Sequence, residues 1–436
     1  MNGSSGPSGQ PERPPDATLP PGRRDVVGVS PVRAVVTVAA SLIAASLPVF
    51  LLSALAPSIQ LDLGFGEAGL GIAVAAFFLA AAVSSVPGGR FADRFGAPVS
   101  LRTGLAIAAS GSLLVALFAG SRWSLAGAMF LGGTALGFVD TGGARAISAA
   151  VPVTRQGFAF GSKEASIPAA SFLAGASVPL LGAHLGWRPA FGIGVGFAAL
   201  VGGLVSSRLE QNPRRVDPDH EPASTRADHP VSERTHHAVT PASAWPLVLL
   251  SITAALGGGA AAATTAFLVA SSVTGGLAAG SAGTLLAVAS AVAIGARLGV
   301  GAAADRRASA AVPLVAGMLA IGGAGAIGLA SASAGLVPAW SAGPVLVVSA
   351  VLAIGAGWGW TGLVFLAAVR LDPARPAKAA GIVLVGLGIG GAVAPASFGG
   401  VAGLAGYATA WTIAAAAMFL AVATATLAHR LAGSRA

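Results

Sequence analysis

The chain reads as a series of long apolar runs separated by short polar interruptions. From residue 34 onward twelve such runs can be bounded, at 34–56, 67–87, 99–119, 123–149, 158–182, 189–207, 245–270, 278–300, 310–331, 342–369, 379–402 and 407–429. Each is about twenty residues or longer, enough for a helix rising about 1.5 Å per residue to cross a hydrocarbon core of about 30 Å. Strands of a membrane barrel would be about half as long and would alternate apolar with polar, and these runs do not alternate. The pattern therefore predicts an all-helical membrane protein. Two stretches fall outside it. Residues 1–31 are rich in Pro, Gly, Ser and charge with no apolar face, as in a disordered tail. Glu12 and Asp16, ahead of the first apolar run, do not fit a signal peptide. Residues 208–244, between the sixth and seventh runs, are again polar and Pro-rich. They divide the chain into a six-helix unit at 32–207, a linker, a second six-helix unit at 245–430 and a short tail at 431–436.

Composition agrees with the pattern. With 55% hydrophobic residues, 9% charged residues and a mean hydropathy of +0.80, the chain has too few charges to dissolve as a globule. Its 62 glycines suit helices that approach closely in lipid, where small residues replace the hydrophobic drive with close packing. The absence of cysteine excludes disulfides, thiolate catalysis and cysteine-held metals. His229, His236 and His237 lie in the Pro-rich linker and read as solvated side chains, so no metal site and no cofactor is expected.

The net charge of +9 is not arranged as a nucleic-acid surface, since the basic residues interrupt apolar runs at loops and form no stripe with aromatics. With twelve spans both termini fall on one side. The termini, linker and loops of that side hold 22 of the 25 Lys and Arg, and the other side holds Arg122 and Arg188. This asymmetry predicts cytoplasmic termini in a plasma or inner membrane. Asp62, Glu67, Arg122, Trp187 and Arg188 then fall near the outer helix ends, as interfacial anchors would.

One polar interruption stands out. Gly88 to Arg102 reads GGRFADRFGAPVSLR, with Arg90, Asp93, Arg94 and Arg102 between two apolar runs, and is expected to be a tight charged loop. A related stretch recurs in the second half. GVGAAADR at Gly299 to Arg306 aligns Asp305 with Asp93 at an offset of 212 residues. Gly175-x-x-x-Pro179 aligns with Gly391-x-x-x-Pro395 at 216, GFVDTG from Gly137 with GWGWTG from Gly357 at 220, and Phe191 with Trp411 at 220. Four matches in order at nearly constant offset imply a duplicated six-helix unit, its copies related by an axis along the membrane normal.

The charged stretch resembles the signature loop of the major facilitator superfamily of secondary transporters, Gly-x-Leu-Ala-Asp-Arg-x-Gly-Arg-Lys-x-x-Leu. Gly89, Ala92, Asp93, Arg94, Gly96 and Leu101 match it. Phe91 replaces the leucine, Ala97 and Pro98 replace the basic pair, and Arg102 can supply the missing charge. The segment at 155–165 and the Gly186-Trp187-Arg188 turn look like helices five and six of a prokaryotic branch, with Glu164 in place of a glutamine. Ala174, Val178 and Ala183 depart from the glycine motif that drug antiporters carry in helix five. The resemblance implies two pseudo-symmetric six-helix bundles that rock around a midplane site, in a monomer whose partners are a small solute, protons and the bilayer. It further implies that Asp93 meets the N-terminus of the eleventh span near Ala379 as a conformational latch, with Gly89, Arg94, Gly96, Arg102, Arg297 and Asp305 as members.

Charges within spans are costly, by about 2.5–3.5 kcal/mol each on insertion scales, so each needs a partner or water. Asp140 and Arg145 in the fourth run and Lys163 and Glu164 in the fifth form such a group. Asp140 is either a protonatable coupling site or a structural partner of Lys163 or Arg145. Lys163 would suit an anionic group on the solute, and Arg145 a gate or a structural pair near its helix end. Trp358 and Trp360 sit in a glycine-rich run, where they either line a solute pocket or pack between helices. The resemblance favours Trp360, which aligns with Asp140. No Gly-x-x-x-x-Gly-Lys-Ser/Thr loop exists for a nucleotide-driven pump, and histidines are missing from the depths of the spans, so an enzyme is not expected. A secondary transporter is the reading these residues support, with a drug or metabolite efflux antiporter and a non-transporting sensor as alternatives.

Overall fold

The computed structural model describes residues 30–152, 156–182, 185–205, 245–306, 311–372 and 376–433, with the side chains of 156–158, 301–306 and 376–378 outside that description. The N-terminal tail and the linker, with its four histidines, lie almost wholly outside it. Among the described residues every regular element is helical. In the first half these are α1 (Pro31–Ala54), α2 (Ala56–Leu63), α3 (Glu67–Phe95), α4 (Ala97–Phe118), α5 (Arg122–Ala150), α6 (Gln156–Glu164), α7 (Ser166–Ser177) and α8 (Arg188–Leu204). In the second half they are α9 (Trp245–Thr274), α10 (Ala279–Arg306), α11 (Ala311–Ser333), α12 (Ala339–Gly359), α13 (Thr361–Leu371) and α14 (Pro376–Gly433). Ten helical stretches among the described residues are long and apolar enough to cross a membrane. The protein is thus a multi-pass membrane protein.

Local chemistry explains most boundaries. Prolines occupy the first turns of α1, α4 and α8, where an N–H would have no helical partner. At α5, Ser121 and Ser124 cap each other's backbone N–H groups. The junction of α3 and α4 corrects the expected charged loop. Helix α3 continues through Gly88 to Phe95, and the turn is confined to Gly96, whose φ of 89° an L side chain rarely adopts. Gly406, with φ 80°, breaks the 58-residue α14 in the same way. Ala92 and Leu101, which flank the Gly96 turn, are both buried.

Helices α1, α3, α4, α5, α7 and α8 pack among themselves, and so do α9 to α14. The halves are joined most extensively by α3 with α14, α7 with α10, and α1 with α9. The apolar core shows how far this seam extends. At the end away from the Gly96 turn, Phe77, Phe191, Phe267, Phe398 and Trp411 belong to one continuous cluster drawn from both halves. At the Gly96 end there are two separate clusters, one holding Val38, Leu101, Ile147 and Val201, the other Leu250, Val315, Leu363 and Ala425. The halves therefore share a core at one end and stand apart at the other.

Candidate functional site

The charged group predicted within the spans assembles where the seam begins to part. Asp140 projects from α5 ten residues before the helix end at Ala150, about 15 Å of rise. Lys163 Nζ lies 2.6 Å from Asp140 Oδ1 and 3.2 Å from Glu164 Oε1, at the end of α6. From the second half, Arg297 on α10 brings Nη1 to 3.9 Å from Glu164 Oε2 and also donates to the Glu164 backbone carbonyl. Four charges thus form an alternating row, Asp140, Lys163, Glu164, Arg297, that crosses from one half to the other.

The backbone prepares this crossing. A helical carbonyl normally accepts from the N–H four residues on, and the residue four beyond Glu164 is Pro168, which has no N–H. The Glu164 carbonyl is left without that partner at the break between α6 and α7, and the Arg297 guanidinium takes it. Arg297 Nε donates to the Trp358 carbonyl at 3.1 Å, close to the break between α12 and α13. The Trp358 ring lies 5.8 Å from the Arg297 guanidinium carbon, and its Nε1 donates to Thr265 Oγ1 at 2.8 Å on α9. Arg297 is therefore oriented by its own half and directed at the other.

The other predicted residues are distributed differently from expectation. Arg297, expected in the latch, is a member of this central row. Trp360, expected to face the solute, is fully buried in the second half's core, with Nε1 donating to the Gly357 carbonyl at 2.6 Å. Its neighbour Trp358 is the tryptophan that joins the row. Arg145 reaches Asp93, with Nη1 3.0 Å from Oδ1, so the Asp93 carboxylate bonds within the first half rather than to the helix start near Ala379.

Gly89 sits in helix α3 with room around it, while Gly88 is the glycine that meets the Gly137 carbonyl closely. Arg94 lies 5.2 Å from the ring centre of its neighbour Phe95. Arg102 donates to the Val205 carbonyl and so ties α4 to the end of α8. Asp305 falls in the last turn of α10, its side chain outside the described residues. Of the expected interfacial anchors, Trp187 is buried and donates to Asp62 at 3.1 Å, and Arg188 bonds the carbonyls of Ala116 and Ala119. Glu67 accepts from Tyr407 Oη at 3.3 Å across the seam.

Thr265 and the role of Arg297 were missed from sequence. The signals were present: Pro168 four residues after Glu164, and a lone basic residue within the run 278–300. Among the described residues no group of acidic residues and histidines is arranged to hold a metal ion.

Known proteins agree with this architecture. No curated protein matches the sequence. Among solved structures, a variant of the nucleoside transporter NupG superposes with a TM-score of 0.66 at 13% identity, covering 91% of this chain and 99% of that one. That identity speaks for a shared fold. The sequence profile described as Major Facilitator Superfamily matches residues 38–343, well over half of the chain. The helices, the two-ended seam and this match lead to one conclusion: the chain belongs to the major facilitator superfamily.

Proposed function

We propose that the chain is a secondary active transporter that carries a small organic solute by alternating access, coupled to protons, and that Asp140 is the coupling carboxylate. Twelve spans in two bundles follow if Arg188–Leu204 is counted as a short span and α14 is divided at Gly406. Both termini then lie on the cytoplasmic side of a plasma membrane, by the excess of Lys and Arg in the loops of that side.

The observation that carries this reading is the alternating row across the seam. A transporter must link occupancy of its site to the relative position of its halves, and here Glu164 is held by Lys163 from within its own half and by Arg297 from the other. Protonating Asp140 removes the nearest counter-charge of Lys163. The ammonium then turns fully to Glu164 and competes with Arg297 for it, which loosens the tie across the seam.

The test is uptake into proteoliposomes under an imposed pH gradient, screened over nucleosides, amines, organic acids and drugs. Gradient-driven uptake is expected for the native chain, and Asp140→Asn is expected to retain binding while losing dependence on the gradient. Unchanged gradient-driven flux in Asp140→Asn would remove the coupling role. Asp93→Asn should slow turnover while leaving binding intact, because its bond to Arg145 lies at the far mouth of the seam.

A further inference from the structure

From the way the central row is exposed, we infer that its solute is an organic cation, such as a protonated amine, received by the carboxylates of Asp140 and Glu164. This rests on the transporter reading above. It differs from the sequence expectation that Lys163 would meet an anion. The four charges balance, but they are not equally presented. The side chains of Lys163 and Arg297 are 6% and 4% exposed, whereas those of Asp140 and Glu164 are 41% and 28% exposed. Both cations are spent internally, Lys163 on the two carboxylates and Arg297 on two backbone carbonyls and Glu164.

A carboxylate this deep in a span is not stable against lipid, so its open side faces water in the parting between the halves. A solute entering there meets carboxylate oxygens first and reaches the ammonium and guanidinium only behind them. The mouth is basic, with Arg90, Arg94 and Arg145 near the Gly96 turn, but Arg145 is paired with Asp93. Exposed charges beyond a Debye length of about 10 Å at 0.1 M salt are largely screened. The inner carboxylates therefore set the sign of the field that a bound solute experiences.

The chain lacks cysteine, so a single introduced thiol can report that sign. Gly161 lies three residues before Glu164, on the same helical face, and a side chain built there meets open space. Gly161→Cys in nanodiscs would be labelled with trimethylammonium-ethyl and sulfonatoethyl methanethiosulfonate, each rate normalised to that with 2-mercaptoethanol. The cationic reagent is expected to react about fivefold to tenfold faster, the scale of one screened charge pair at close range. That preference should collapse when Asp140→Asn and Glu164→Gln are added.

Equal rates, preference for the anion, a preference untouched by the two neutralisations, or no labelling by either reagent would each overturn the inference. Should Gly161→Cys fail to fold, Gly362→Cys, at another exposed position with open space, takes its place. Labelling does not depend on flux, so the two readings fail separately. Anion preference with gradient-driven uptake sinks only the cation assignment, and cation preference without uptake of any solute sinks the transporter.

Discussion

The two ends of the seam between the halves are built from different materials. At the end away from the Gly96 turn the join is apolar and tight. Gly71 meets the Pro395 backbone, Gly175 faces Gly283, Ser171 and Ser290 share a buried hydrogen bond of 2.9 Å, and Tyr407 reaches Glu67. At the Gly96 end each half keeps its own core, and the contacts are made by long charged side chains such as Asp93 with Arg145 inside one half. Small residues permit a close approach only when two backbones are in register, so a glycine-lined join is either fully made or lost. Charged side chains tolerate displacement and hydration. The difference teaches that this conformation is sealed at one end by packing and held at its midpoint by the Glu164–Arg297 tie, and that the sealed end is where a bulky residue should act most strongly.

The largest effect is expected for Gly283→Val. A Cβ at Gly283 would lie 2.5 Å from Val178 Cβ and 2.8 Å from the Gly175 carbonyl, neither of which is the end of a flexible chain. Overpacking of this kind costs about 1–3 kcal/mol, which here falls on the join between the halves. A thiol at Ser171→Cys, shielded in the native seam, should become about tenfold or more reactive, and transport should fall correspondingly. Gly133→Val supplies the contrast, because Gly133 faces Phe77 within the first half. It should lower thermal stability without exposing Ser171→Cys. A shielded thiol in Gly283→Val would break the comparison.

The sealed end and the central row also differ in how legible they were. The bilayer leaves few architectures, so the apolar runs and the near-constant offsets between halves were enough to indicate helices and duplication. Phe191 and Trp411, aligned by that repeat, occupy the shared core together. The pairing of Lys163 with Asp140 was one of the alternatives the sequence left open, since a buried charge needs a counter-charge nearby. What sequence did not reveal depended on distance along the chain or on a backbone defect. The resemblance places Arg297 in the latch, whereas the carbonyl freed by Pro168 draws it to Glu164. Trp360 was placed by alignment with Asp140, yet the helix break at Trp360 turns its ring into the core. The signature stretch read as a loop because of its charge, although one positive-φ glycine suffices to reverse the chain.

Second in size is Lys163→Met. It removes the cation that Asp140 and Glu164 share, and hydrogen bonds to charged groups are worth about 1.5–3 kcal/mol each. The variant should show a lowered thermal midpoint and little transport. Asp140→Asn should be milder in stability, since Lys163 keeps Glu164. Equal stability of Lys163→Met and the native chain would show that the row is not a structural unit.

Smaller again is Tyr407→Phe, which deletes one neutral-to-charged hydrogen bond across the sealed end while keeping the ring beside Phe398. At about 1.5 kcal/mol, the lower end for a bond to a charged group because this one is long at 3.3 Å, the loss should raise the labelling of Ser171→Cys by about tenfold. No change in labelling would mean that Tyr407 belongs to its own half only, and that the seal is made by packing alone.

The smallest effect is expected for Trp411→Phe, and it separates packing from polarity within the sealed end. Trp411 is fully buried, its ring 4.6 Å from that of Phe398, and its Nε1 has no hydrogen-bond partner among the described residues. Removing an unpartnered buried donor gains about 1–3 kcal/mol of desolvation, while the smaller ring leaves a void whose penalty is of similar size. The thermal midpoint should therefore stay within the equivalent of about 1 kcal/mol of the native chain. Trp358→Phe loses its bond to Thr265 as well and should be clearly more destabilising. The repeat gives a reason to trust the near cancellation, because the aligned position in the first half is Phe191, fully buried against Trp187 at 6.1 Å. Trp411→Phe gives the second half the residue that the first half already carries. A loss as large as that of Trp358→Phe would show that the indole N–H is satisfied after all, and that the sealed end has a polar component.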